Sequence, residues 1–262
     1  MSASKPLLWH IWISHYSEKA RWALDFKRVP HRRRAMPGGF HMIAALALTH
    51  GEVYTFPILE LDGEVISDST EIIGALERRH PEPSLYPEDP VERRRALDLE
   101  DYFDEELGPP LRLLGFHEMV RDPERLSALM DPFLPPPARG SQVARDLAAR
   151  FSSAFTGVRY GVRNEERAEQ ARREVVAALD RLEAELNGNE FLVGDRFSVA
   201  DLTAAALFYP LVLPRQGPEL GDPPDGFQRF REPLEDRRGY QWVAEMFRAY
   251  RLPARADAAV PA

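Results

Sequence analysis

The stretch Thr55–Thr70, TFPILELDGEVISDST, leaves the chain little freedom. Ile58, Leu59 and Leu61 are strand formers, and so are Val65 and Ile66. Asp62-Gly63 between them is the pair that a two-residue type I′ turn asks for, because both central residues need positive φ. A β-hairpin is therefore predicted. Asp68, Ser69 or Thr70 then caps a helix whose apolar positions are Ile72, Ile73 and Leu76. Pro57 opens the first strand and cannot donate to a ladder, so it marks an edge, a turn or a cis bond. The corner sets a hydroxyl and a carboxylate beside free helix N–H groups. It suits a ligand that carries its own amino and carboxylate groups.

Upstream, Leu7–Ile13 is a nearly continuous apolar run and predicts a strand buried on both faces. Ser14-His15-Tyr16-Ser17 interrupts it, and a helix is expected from Glu18 to about Lys27, ended by Val29-Pro30. A polar strand (His31–Met36), a loop at Pro37-Gly38-Gly39 and a short helix (Met42–Leu48) lead to the hairpin. The order is β-α-β-α-β-β-α. Downstream of the prolines at 81, 83, 87 and 90 no strand pattern recurs. Val91–Leu107 reads as a charged helix, and the proline-rich residues 108–140 as loops and short helices. Glu165–Leu186 is a helix with Val175, Leu179, Leu182 and Leu186 on one face, and Gly188 sits where a C-cap belongs. Ser198-x-x-Asp201 is a capping-box arrangement before an apolar helix that begins at Leu202.

Composition narrows the function. Hydrophobic residues make up 44% of the 262, enough for a sizeable core. No apolar run approaches the roughly 20 residues of a membrane span. Met1-Ser2-Ala3-Ser4-Lys5 lacks a signal-peptide pattern, which predicts a cytoplasmic protein. The net charge of −8 argues against nucleic-acid or anionic-membrane partners. There is no cysteine, hence no disulfide, no thiolate metal site and no cysteine nucleophile. Glu100-Asp101 with Asp104-Glu105-Glu106 has the composition of a metal site but no histidine nearby. It reads as a solvated helix face, and no metal is expected.

Three strings carry a family resemblance. The 55–70 corner resembles the second half of the thioredoxin-like domain of glutathione transferases. Gly194-Asp195-Arg196-Phe197-Ser198-Val199-Ala200-Asp201-Leu202 resembles the folding motif of their all-helical C-terminal domain. Ser14-His15-Tyr16-Ser17-Glu18-Lys19-Ala20-Arg21-Trp22-Ala23-Leu24 is similar to the family's Ser/Cys-Pro-x-x-x-Lys-x-Arg-x-Ala-Leu, as in the serine-type, zeta- and theta-like members. His15 stands where the proline is usual. The implied fold class is α/β plus all-α, an N-terminal thioredoxin-like domain followed by an all-helical domain. The expected boundaries are 1–82, a Pro-rich linker at 83–90, and 91–262.

The resemblance also implies chemistry. Glutathione is the expected co-substrate, its thiol activated for conjugation, isomerisation or cleavage of a small electrophile, in a homodimer. Ser14 is the expected thiol-activating residue, with Tyr16 and Ser17 as alternative hydroxyl donors. Phe56 and cis-Pro57 are expected to pair with the cysteinyl part, Asp68 and Ser69 to hold the γ-glutamyl end, and His41 to meet the glycyl end. His50, at the other end of the same short helix, is an equal candidate for that end, and Arg32-Arg33-Arg34 either attracts its carboxylate or, more simply, is a charged edge strand. Tyr102, Phe103, Phe208 and Tyr209 fall where the acceptor pocket is lined, though core packing accounts for them equally. From the residues alone, Ser14 and Ser17 read as helix caps. The competing reading is a non-catalytic ligand-binding or interaction protein with the same fold.

Overall fold

The computed structural model describes residues 5–36, 40–131 and 134–251. The expected loop at 37–39 lies outside them. Strand β1 (Leu7–His10) pairs in parallel with β2 (Arg32–Ala35) and antiparallel with β3 (Ile58–Leu61), which pairs antiparallel with β4 (Glu64–Ser67). The sheet order is β2-β1-β3-β4. Asp62 and Gly63 both have positive φ, 52° and 87°, as the type I′ hairpin requires. The Phe56-Pro57 peptide is cis. Helices α1 (His15–Phe26), α2 (Phe40–Leu48) and α3 (Ser69–Arg79) complete this unit. The small mixed sheet followed by helices alone is the thioredoxin-like plus all-helical architecture expected.

The first strand is shorter than its apolar run because the chain turns at Ile11, whose carbonyl accepts from Ser14 N–H at 3.2 Å. Helix α1 accordingly starts three residues earlier than expected. Its N-cap is Ser14, whose Oγ accepts from Ser17 N–H at 3.3 Å.

Residues 80–89 carry no helix or strand. Then α4 (Pro90–Tyr102) runs through a π turn at Phe103–Leu107 into α5 (Gly108–Val120). Of the loops and short helices expected from residue 108, the chain forms helix first, without a break through Val120. Pro109 and Pro110 lie in the first turn of α5, where a missing N–H costs little. After α6 (Pro123–Met130) comes α7 (Gln142–Tyr160), a 19-residue helix. Helix α8 (Glu165–Leu186) has the expected bounds and buries Val175, Leu179, Leu182 and Leu186. It ends in Asn187 in the left-handed region, with Gly188 one residue beyond.

Helix α9 (Val199–Val212) is buried almost all round, packing on α1, α4, α5 and the last described helix, Arg238–Tyr250. Its first turn hangs on Asp201. Oδ2 accepts from both Ser198 N–H and Ser198 Oγ–H at 2.8 Å, and Oδ1 from Leu192 N–H at 2.8 Å. Burial pushes this carboxyl up from 3.8 to about 6. The folded chain thus holds the proton more tightly than the unfolded one, and the group's contribution to stability falls as pH rises from about 4 to about 6. Asp201→Ala should cost about 2 kcal/mol, because three donors lose their acceptor, and Ser198→Ala about 1 kcal/mol. Denaturant melts of wild type and Asp201→Asn should show the wild-type advantage shrinking between pH 4 and pH 7. A constant difference would remove the carboxyl from the account.

Candidate functional site

The strand register brings the singled-out residues to one end of the sheet. Ile58 pairs with both Trp9 and Ser67, so the exit of β1 towards Ser14, the entry of β3 at Phe56-Pro57, and Asp68-Ser69 after β4 lie at the same end. Lys19 Nζ to Thr70 Oγ1, 2.9 Å, ties the second turn of α1 to the start of α3.

The loop Ile11–Ile13 that presents Ser14 is held at every carbonyl. Arg21 donates from Nη1 to Ile11 O at 3.3 Å and from Nη2 to Trp12 O at 3.0 Å, and Tyr209 O–H donates to Ile13 O at 2.7 Å. Arg21 Nη1 also meets His10 Nδ1 at 2.8 Å. Burial, then Arg21, pulls His10 down to about 2, so its ring is neutral and accepts. Arg21 itself is buried against Glu18 at 2.7 Å. Ser14 is therefore placed by a rigid frame drawn from α1 and from α9.

The three hydroxyls have different surroundings. Ser14 is half-buried, and its Oγ receives Ser17 N–H while its own proton has no acceptor among the described residues. Tyr16 O–H donates to Asp104 O at 2.7 Å, and its ring lies so close to Gly108 that a Cβ there would sit 2.0 Å from the phenol oxygen. Burial pushes the Tyr16 phenol well above its ordinary value. Ser17 is fully buried and accepts Ile11 N–H at 3.2 Å. His15 is 4% exposed, and burial, then Arg112, pulls it to about 3; its Nε2 is buried without a partner.

Asp68 is the N-cap of α3 and accepts Thr70 N–H at 2.8 Å. Its φ of 77° is unusual for an aspartate and aims the start of α3. Ser69 beside it is buried. Phe56 and Pro57 are buried, and the His41 ring centroid is 6.0 Å from that of Phe56. His50 is exposed after α2. In β2, Arg33 is tied to Asp25 at 2.5 Å, Arg34 lies 4.6 Å over the Trp9 ring, and Arg32 is exposed.

One expectation needs correction, and one open alternative takes its packing form. Glu100 and Asp104 are not a solvated face. Glu100 is fully buried and Asp104 partly, because Lys19 reaches them from α1 at 2.8 and 2.6 Å. Thr70 Oγ1 is 3.0 Å from Glu100 Oε1 and 2.9 Å from Asp104 Oδ2. Asp101, Glu105 and Glu106 are exposed as expected. Phe103, Phe208 and Tyr209 are fully buried and serve packing, with only Tyr102 half-buried. Missed by the sequence reading are Tyr54, Arg112, Arg159 and Tyr160, whose rings and guanidiniums contact one another. No local motif marks them. Among the described residues no group of acidic and histidine side chains could hold a metal, and no helix is long and apolar enough to cross a membrane.

Comparison with known proteins agrees with this architecture. Residues 8–84 match the family model for the glutathione S-transferase N-terminal domain, and residues 126–237 that for the glutathione S-transferase C-terminal domain. A Drosophila melanogaster protein named probable maleylacetoacetate isomerase 1 is 31% identical over 108 residues, 37% of this chain and 41% of that one. The chain spans about half the length of the curated relatives it matches. The β-etherase LigF of Sphingobium sp. strain SYK-6 superposes with a TM-score of 0.59 at 20% identity, over 92% of this chain and 99% of its own. A theta class glutathione S-transferase of Xanthomonas axonopodis pv. citri, solved with glutathione bound, gives 0.56 at 20% identity, over 92% and 97%. At such identities the structural likeness speaks for the fold.

Proposed function

The chain belongs to the glutathione S-transferase family, and from that premise we propose that it activates the glutathione thiol for attack on a small electrophile. Ser14 donates its hydroxyl proton to the thiolate. The carrying observation is the state of that hydroxyl: placed by a rigid frame at the sheet end, with its proton unclaimed. The Tyr16 hydroxyl proton is already given to Asp104 O, and Ser17 is fully buried whereas Ser14 is only half-buried. The thiol is a poor nucleophile, and a hydrogen bond to its anion at a helix N-terminus lowers its pKa.

In this reading Phe56 beside cis-Pro57 pairs with the cysteinyl backbone. Ser69 and the N-terminus of α3 take the γ-glutamyl carboxylate, Asp68 takes the ammonium, and His41 lies towards the glycyl end. Residues 1–82 bind the thiol, residues 91–262 close the acceptor side, and the working unit is a cytoplasmic homodimer. The names of the isomerase relatives and of the β-etherase neighbour favour isomerisation or ether cleavage over plain conjugation.

Retention on immobilised glutathione followed by a thiol-conjugation assay tests the reading. Retention without turnover of any electrophile would leave a binding protein instead. Ser69→Ala should raise the apparent KM for glutathione about 10-fold with kcat nearly unchanged, since that contact is felt equally in ground and transition states. A fall in kcat at constant KM would move Ser69 out of the binding role.

A further inference from the structure

A ladder of alternating rings and guanidiniums joins the two segments that flank the proposed thiol site. At one end is Tyr54, three residues before Pro57; at the other is Tyr16, two residues after Ser14. Between them stand three side chains of the helical part. Arg159 Cζ lies 5.4 Å from the Tyr54 ring centroid and 5.1 Å from that of Tyr160, and its Nη2 donates to Tyr54 Oη at 2.9 Å. Arg112 Cζ lies 4.9 Å from the Tyr160 ring and 5.8 Å from the Tyr16 ring. The ladder thus runs from the cis-proline loop, across α7 and α5, to the first turn of α1.

Neither guanidinium has a carboxylate partner among the described residues. Arg112 is half-buried and Arg159 exposed, whereas the arginines drawn well into the protein have carboxylate partners: Arg21 with Glu18, Arg33 with Asp25, Arg251 with Glu18 and Asp25. Arg112 also has a buried Nε with no hydrogen-bond acceptor. Aromatic faces attract the cation but do not take its in-plane N–H donors, which match a carboxylate edge. Rings on either side of each guanidinium fix its plane, so little freedom is lost when an anion docks.

We propose that Arg112 and Arg159, held by Tyr16, Tyr160 and Tyr54, form the acceptor subsite and select planar electrophiles that bear a carboxylate. The planar part stacks on the exposed Tyr54 ring, and the carboxylate meets the guanidinium edges beside the thiolate. This rests on the thiol-transfer reading above and adds the class of acceptor.

The test compares 4-chloro-3,5-dinitrobenzoate with its methyl ester under glutathione. In both, the thiolate sulfur bonds to the ring carbon, chloride leaves with the bonding pair, and the thiol proton passes to solvent. Wild type should favour the acid at least 10-fold in kcat/KM, and added salt should shrink that preference. Arg112→Met and Arg159→Met should each lower kcat/KM for the acid about 10-fold and leave the ester within about twofold, one charge-assisted hydrogen bond being worth that much. Arg112→Lys, which keeps the charge, should retain part of the preference and guards against a variant that fails to fold. Calorimetric binding of unreactive 3,5-dinitrobenzoate without glutathione should weaken in the same variants. Equal rates for acid and ester in wild type, or a preference that survives both Met substitutions, would overturn the proposal. If neither compound turns over, thiol transfer fails, and the dinitrobenzoate isotherms alone decide whether the arginines bind the anion.

Discussion

Lys19→Met should destabilise the fold by about 3–5 kcal/mol, the usual range when one partner of a buried ion pair is removed. Lys19 and Glu100 are fully buried 2.8 Å apart, with Asp104 2.6 Å from the same ammonium. Burial alone would push the Lys19 ammonium down, but Asp104 and Glu100 outweigh it and hold it above its ordinary value. Burial pushes Glu100 up, and Lys19 offsets this only in part. One ammonium and the single Thr70 hydroxyl proton serve both carboxylates. Without Lys19 the Thr70 proton reaches one carboxylate at a time, so the other must take up a proton or stay buried as an uncompensated charge. The folded pKa of Glu100, already raised by burial, then lies further above its unfolded value, and the sign follows. The variant should be closest to wild type in acid and lose ground as pH rises above about 4.5. Urea melts at pH 4.5 and 7.5 measure this. The double variant Lys19→Met/Glu100→Leu should recover part of the loss, because a well-packed apolar pair can replace a buried ion pair. A double variant as unstable as the sum of the single ones would mean that the pair is not coupled.

The same cluster shows where sequence reading stops. Lys19 and Glu100 stand 81 positions apart, and nothing local in either segment says that they meet. Glu100 sits among acidic neighbours, so its composition reads as solvent-facing, whereas the partner that permits its burial comes from another element. The Arg112–Tyr160–Arg159 ladder is hidden for the same reason: each residue alone is ordinary, and only the packing of α5 and α7 gives them a common surface. Helix α5 was obscured by Pro109-Pro110, which break a helix interior but suit its first turn.

What was legible rests on interactions a few residues long. Asp62-Gly63 specifies its turn through φ alone, and Asp68 accepts from Thr70 two residues on. Ser198 and Asp201 bond across three residues, and the apolar face of α8 follows one helical period. Among the hydroxyls of the Ser14–Ser17 segment, the chain pattern marks three as candidates. Their surroundings are long-range: Tyr16 meets the π turn 88 residues away, and the loop before Ser14 is pinned by Tyr209, 196 residues from the Ile13 carbonyl it binds.

That difference in surroundings makes Ser14→Ala the sharpest probe of the proposed chemistry. The variant should lower kcat roughly 10- to 150-fold with a small change in KM, the worth of one charge-assisted hydrogen bond of about 1.5–3 kcal/mol. It should also raise the pH at which bound glutathione ionises, by about 1.4 kcal/mol per pKa unit. Because Ser14 also caps α1, accepting from Ser17 N–H, the substitution carries a separate stability cost of about 1 kcal/mol. Ser14→Gly isolates that part, since glycine is tolerated at an N-cap and equally lacks the hydroxyl. An ultraviolet titration of bound thiolate then decides. If both variants shift ionisation upward alike while only alanine weakens folding, the hydroxyl acts on the sulfur. If the thiol ionises at the wild-type pH in both, Ser14 is a cap alone. Thiolate stabilisation would then have to come from Tyr16 or Ser17, through a rearrangement that frees Tyr16 from Asp104 or Ser17 from Ile11.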